Sequence, residues 1–135
     1  MRLAALLVAL VVVAGCGDTN IYQNPLGPSP PGAPATRHSI EFRVSGNANG
    51  ARIRFADPVD GITQVLTALP YVVEASTTQA TIFLSLDVTP TAYPFAILAP
   101  FLSAQIVVDG ALFREATSAD TSLNTLSVSG TWRAD

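Results

Sequence analysis

An all-β domain, an antiparallel sandwich of seven or eight short strands, is the fold class this chain predicts. Three observations predict it. From His38 onward, apolar and polar residues alternate with period two. Turn-forming residues interrupt that alternation at Asn49-Gly50, at residues 57–61, at Pro70 and at Asp109-Gly110. No convincing helical period runs through the same region. A closed barrel is the competing architecture, because strand count alone does not separate the two.

The elements follow in order. Ile40, Phe42 and Val44 alternate with Glu41, Arg43 and Ser45, which sends the apolar set to one face. Ile53 and Phe55 alternate with Arg52 and Arg54 in the same way, and Asn49-Gly50 between the two runs predicts a tight hairpin loop. Asp57-Pro58-Val59-Asp60-Gly61 is a second break before a strand over 62–69. Pro70 interrupts, and residues 71–75 resume as an edge strand. Residues 81–89 place Ile82, Leu84, Leu86 and Val88 on one side. Strands over 103–108 and 111–116 flank Asp109-Gly110, the strongest hairpin signature in the chain. Residues 123–132 close the domain, with Leu126 and Val128 inside.

Ahead of the domain the composition changes. Residues 17–37 contain Pro25, Pro28, Pro30, Pro31 and Pro34 and too few apolar residues to build a core. This stretch reads as a disordered Pro-rich spacer, reaching about 65 Å extended and about 25 Å as a coil. Pro28-Ser29-Pro30-Pro31 has the make-up of a polyproline ligand, but a plain linker is the simpler account.

The first residues have a different character. Arg2 precedes an unbroken run of Leu, Ala and Val over 3–13, which ends in Val13-Ala14-Gly15-Cys16. The run is shorter than the roughly 20 residues a spanning helix needs. Cys16 is the single cysteine, so it has no disulfide partner within the chain. Together these residues resemble the lipobox of a bacterial lipoprotein signal peptide. The resemblance implies cleavage between Gly15 and Cys16 and acylation of Cys16, giving a durable membrane anchor. It divides the chain into a signal peptide (1–15), a lipidated cysteine with its linker (16–37) and the β-sandwich (38–135). It also implies the cell envelope, and Gly17 in place of Asp after the cysteine favours the outer over the inner membrane under the enteric sorting rule.

Charge narrows the partners. The formal net charge is −3 and every one of the seven Lys+Arg residues is an arginine. Nucleic-acid binding wants a basic stripe, and none is present. A polybasic membrane patch is absent for the same reason, so membrane contact is expected through the lipid on Cys16.

Within the domain, Ile40-Glu41-Phe42-Arg43-Val44-Ser45-Gly46, Ala51-Arg52-Ile53-Arg54-Phe55-Ala56-Asp57, Leu69-Pro70-Tyr71 and Ile106-Val107-Val108-Asp109-Gly110 occur in a suggestive order. Over residues 39–132 they resemble the extracytoplasmic domain of the small mycobacterial membrane proteins of the MmpS family. That resemblance implies an immunoglobulin-like sandwich and an accessory role beside transporters of the resistance-nodulation-division (RND) class. Family members often carry a cysteine before the Val-Asp-Gly hairpin and another on the last strand. Here Ala104 and the neighbourhood of Ser127 and Ser129 occupy those places. The family also anchors through a spanning helix, whereas this chain has the lipobox.

No catalytic set emerges. His38, the single histidine, lies at the linker–domain junction and reads as a solvated strand start. Asp57 and Asp60 offer two carboxylates where calcium wants six to eight oxygens, so turn formation explains them better. Glu74, Asp87, Glu115 and Asp120 share no common spacing, though carboxylate pairs across strands remain open. Gly46-Asn47-Ala48-Asn49-Gly50 precedes a strand, so it lacks the helix N-terminus of a phosphate cradle. No cofactor and no metal are expected, and the chain is not expected to be an enzyme.

One segment stands out. Residues 89–101 carry Pro90, Pro94 and Pro100, which should keep the segment from being an interior strand, yet they also carry Tyr93, Phe95, Ile97, Leu98 and Phe101. An apolar connection of this kind either folds down as a cap on the sandwich or exposes a patch for a partner or lipid. Tyr71 and Trp132 carry the same two readings. The sequence thus predicts an envelope lipoprotein whose sandwich is a non-catalytic binding or scaffolding module. The alternatives are an accessory subunit of an RND-type export complex and, lacking its constellation, a hydrolase.

Overall fold

The computed structural model describes residue 32 and residues 34–135. The expectations for the signal peptide, for Gly15 and Cys16 and for most of the linker lie outside the described residues. Among the described residues eight strands form: β1 (His38–Gly46), β2 (Gly50–Asp57), β3 (Gly61–Thr67), β4 (Tyr71–Thr77), β5 (Thr81–Ala92), β6 (Leu102–Val108), β7 (Ala111–Ser118) and β8 (Leu126–Arg133). They make two four-stranded antiparallel sheets, ordered β4-β1-β6-β7 and β3-β2-β5-β8. This is a β-sandwich, with two separate sheets in place of a closed barrel.

The alternating apolar sets of the two sheets meet in one core. Ile40, Phe42 and Val44 from β1 and Leu102, Ala104 and Ile106 from β6 face Ile53 and Phe55 from β2 and Leu84, Leu86 and Val88 from β5. Phe42 and Phe55 join the layers, their ring centroids 5.1 Å apart. Val128 is buried and Leu126 half-buried, as expected for the closing strand.

Two sequence expectations are corrected by the strand pairing. β1 and β2 do not form a hairpin: β1 pairs with β4 and β6, and β2 pairs with β3 and β5. The chain between them changes sheets, because both apolar faces must point into the same core from opposite layers. Gly50 is there for close approach: a Cβ on it would lie 3.0 Å from the Thr67 carbonyl oxygen.

Pro90 was expected to keep its segment out of an interior strand, yet it is buried inside β5, the neighbour of both β2 and β8. The ladder with β8 ends at Val88↔Leu126, and the ladder with β2 shifts register between Gly50 and Ala51. Beyond Val88 the strand has one partner and an irregular register, which are the conditions under which proline fits a sheet.

The interlocked pairs β1·β4 and β2·β5, with β3 and β8 flanking the second pair, reproduce the central pairing of an immunoglobulin-like sandwich. The β6–β7 hairpin takes the place beside β1 that the first strand fills in that fold. Its turn is the expected one: Asp109 (φ 51°) and Gly110 (φ 78°) both adopt the positive φ of a two-residue hairpin loop. At 57–61 the Asp57 carboxylate accepts from the amides of Val59 (2.7 Å) and Asp60 (3.2 Å), so this aspartate builds the turn.

Antiparallel order distributes the connections between two poles. The β1–β2, β3–β4, β5–β6 and β7–β8 connections share one end of the sandwich. The β2–β3, β4–β5 and β6–β7 turns share the other, with the chain entering at Ala35–Arg37 and leaving after Arg133.

Candidate functional site

The pole where the chain enters is polar and tightly joined. His38 is not a solvated strand start: its side chain is 14% exposed, turned inward at the first position of β1. Its Nδ1 lies 2.8 Å from Asp109 Oδ2, and its ring meets the Trp132 indole edge-on at 4.7 Å. The Ser39 amide donates to Asp109 Oδ1 at 2.8 Å, and the Asp109 amide donates back to the Ser39 carbonyl. Arg37 donates from Nε to the Ser76 hydroxyl at 2.9 Å. One carboxylate therefore clasps the start of β1 to the β6–β7 turn.

The His38 hydrogen bond, followed by the Ser39 amide, holds the Asp109 carboxyl below the usual carboxylate range. A carboxylate favoured in the folded state contributes stability above its unfolded pKa. That contribution disappears as pH falls through the lowered folded value. The thermal midpoint should therefore drop on acidification below about pH 4, with a shallower drop in Asp109→Asn. Parallel pH curves for the two proteins would show that the clasp does not titrate.

The opposite pole has another chemistry. Among the residues of its four connections the charged side chain is Asp120. The β5–β6 connection, residues 93–101, is held onto the β1–β2 crossing by one side chain and by backbone hydrogen bonds. Asn47 donates from Nδ2 to the Ala99 carbonyl (2.7 Å) and accepts at Oδ1 from the Phe101 amide (2.8 Å). The Asn47 amide donates to the Phe101 carbonyl and the Asn49 amide to the Ala92 carbonyl. Sequence reasoning missed this clamp, since Asn47 sits among residues that look like an ordinary loop.

The clamp divides the apolar side chains. Tyr93 and Ile97 are half-buried and, with Ala96, Thr121 and Leu123, line a shallow recess of about 400 Å³. Phe95 and Leu98 point fully into solvent, and Phe101 is 44% exposed. Between Phe95 and Ile97, Ala96 holds φ of 60°, a left-handed conformation that costs a non-glycine residue roughly 1–2 kcal/mol. That backbone is what sends Phe95 outward and Ile97 inward. The segment is therefore both things the sequence left open, a cap through Tyr93 and Ile97 and an exposed patch through Phe95 and Leu98. The Tyr93 hydroxyl is buried without a hydrogen-bond partner, and its pKa is raised by that burial and secondarily by Asp120.

Most of the remaining carboxylates have a partner close by. Glu41 and Glu74 face each other across β1 and β4, but Glu41 Oε2 is engaged by Arg43, with Nη2 at 2.6 Å. Glu115 accepts from Gln105 (2.8 Å), Asp87 lies 3.7 Å from Arg54, and Asp120 accepts from the Ser122 amide. Among the described residues no group of three or more His, Cys, Asp or Glu is placed to hold a metal. Tyr71 and Trp132 both pack at the margin of the core.

The chain matches no family model, and no curated protein shows significant similarity to it.

Proposed function

We propose that this protein is a bacterial envelope lipoprotein, held to a membrane through acylated Cys16, whose non-catalytic sandwich presents an apolar pole to a protein partner. The observation that carries the reading is the contrast between the two ends. The chain enters at an end carrying Arg37, His38, Asp57, Asp60, Asp109 and Arg133, while the far end is nearly uncharged and exposes Phe95 and Leu98. β1 links the two ends with nine residues, about 30 Å of strand. A tether attached at the charged end leaves the apolar end free to meet a partner at a distance, and an apolar patch rimmed by polar surface suits such contact. Gly17 in place of Asp after the cysteine favours the outer membrane as the anchoring surface.

A more specific version makes the partner an RND-type transporter. It rests on the MmpS likeness, and the sandwich and the Asp109-Gly110 hairpin are in keeping with it.

The test uses the full-length chain in native membranes. Mass spectrometry should find Cys16 as an acylated N-terminus. A photo-crosslinker at position 98 should yield a protein adduct that one at position 60 does not. The double variant Phe95→Ser/Leu98→Ser should lose association while its unfolding free energy changes by less than about 0.5 kcal/mol, as for surface substitutions generally. An unmodified Cys16, or association that survives the double variant, would overturn the reading. Recovery of a large transporter in the adduct selects the more specific version.

A further inference from the structure

A sandwich with two open sheets has four edge strands, and proteins normally guard such edges with charge, proline, bulges or cover. Two of these four are guarded, and a third is polar on its exposed face. β7 carries Arg114 and Glu115, and its register on β6 shifts between Ile106 and Val107. β8 turns Ser127, Ser129, Thr131 and Arg133 to solvent, with no large apolar side chain among them. β4 has Glu74 at its midpoint, so pairing it with a second β4 would set Glu74 against Glu74.

β3 has no such guard. It reads Gly-Ile-Thr-Gln-Val-Leu-Thr, with no charge, no proline and a regular register on β2. Ile62 is 65% and Leu66 67% exposed on its outer face. Among the described residues, its backbone makes hydrogen bonds only within the ladder with β2.

We propose that β3 is a self-association edge, through which two copies of this chain pair antiparallel about a two-fold axis at Gln64. The seven residues are self-complementary in that register. Gln64 meets Gln64 of the second copy, and each exposed Ile62 meets the exposed Leu66 of the other, on the same face. Thr63 meets Val65 on the inner face. No like charges are brought together, and the β3-β2-β5-β8 sheets of the two copies become one eight-stranded sheet. Two-fold closure uses the same strand on both sides, so the assembly stops at two. The contact lies at the small end of specific interfaces, so the dimer dissociates on dilution.

The experiment is sedimentation of the full chain in detergent over a concentration series. A monomer–dimer equilibrium is expected. Gln64→Glu, which opposes two carboxylates on the axis, should weaken it at least tenfold without moving the thermal midpoint read at dilutions where the protein is monomeric, and Leu66→Lys should do the same. Glu74→Gln should leave it unchanged. In a Cys16→Ser background, Gln64→Cys should form an intermolecular disulfide, because directly opposed residues have Cβ atoms about 4.5–5.5 Å apart. A monomer at every concentration, a dimer indifferent to Gln64→Glu, association strengthened by Glu74→Gln, or growth beyond two copies would each overturn the proposal.

Discussion

Truncating Phe42 to alanine is expected to lower the unfolding free energy by about 3–5 kcal/mol, the usual range for a buried Phe→Ala change. The side chain is fully buried in β1, a strand flanked by β4 and β6, and its ring lies against Phe55 of the opposite layer. Both a lost transfer free energy and a cavity between the sheets contribute. Domains of this size usually hold only about 5–15 kcal/mol in total, so a sizeable share of the stability rests on this ring. Urea unfolding should show a lower midpoint with an unchanged slope. Phe55→Ala alone and the double variant complete a cycle. A coupling energy near zero would show that the two rings do not support each other across the core.

Gly46→Ala is expected to be the most damaging small change outside the core. A Cβ there would sit 2.5 Å from the Phe101 carbonyl oxygen and 3.1 Å from the Leu102 Cα, both backbone atoms that cannot swing aside. Overpacking of this kind costs about 1–3 kcal/mol. The strain falls where Gly46 pairs with Leu102, one residue before the Asn47 clamp. Beyond the lower midpoint, the Phe101 amide should exchange faster, because its acceptor is the Asn47 side chain. An unchanged midpoint would mean that β1 and β6 can separate there at no cost.

Local patterns in the sequence were sufficient for much of the fold. Period-two alternation located β1, β2 and β5, and Asp109-Gly110 located the β6–β7 hairpin, because these depend on neighbouring residues. Pairing partners depend on distant ones. Asn49-Gly50 has the composition of a hairpin loop, and nothing near it says that the chain is about to change sheets. Pro90 could be placed in a strand only by knowing that β8 stops short of it. The aromatic and aliphatic residues of 93–101 could be picked out by their unusual apolarity, but their division into inward and outward sets depends on Asn47 and on the backbone at Ala96. His38 was misread for the same reason, since both Asp109 and Trp132 approach it from far along the chain.

The placement of β1 has a kinetic consequence. Its neighbours begin at Tyr71 and Leu102, so the first strand made has no local mate. Topologies dominated by such distant pairings fold slowly, since long loops must close before any reward arrives. In a polypeptide delivered amino end first, from a ribosome or through a narrow channel, β1 would lack its second neighbour until about four-fifths of the chain had emerged. Maturation would then come late and all at once, set by the arrival of Leu102–Val108.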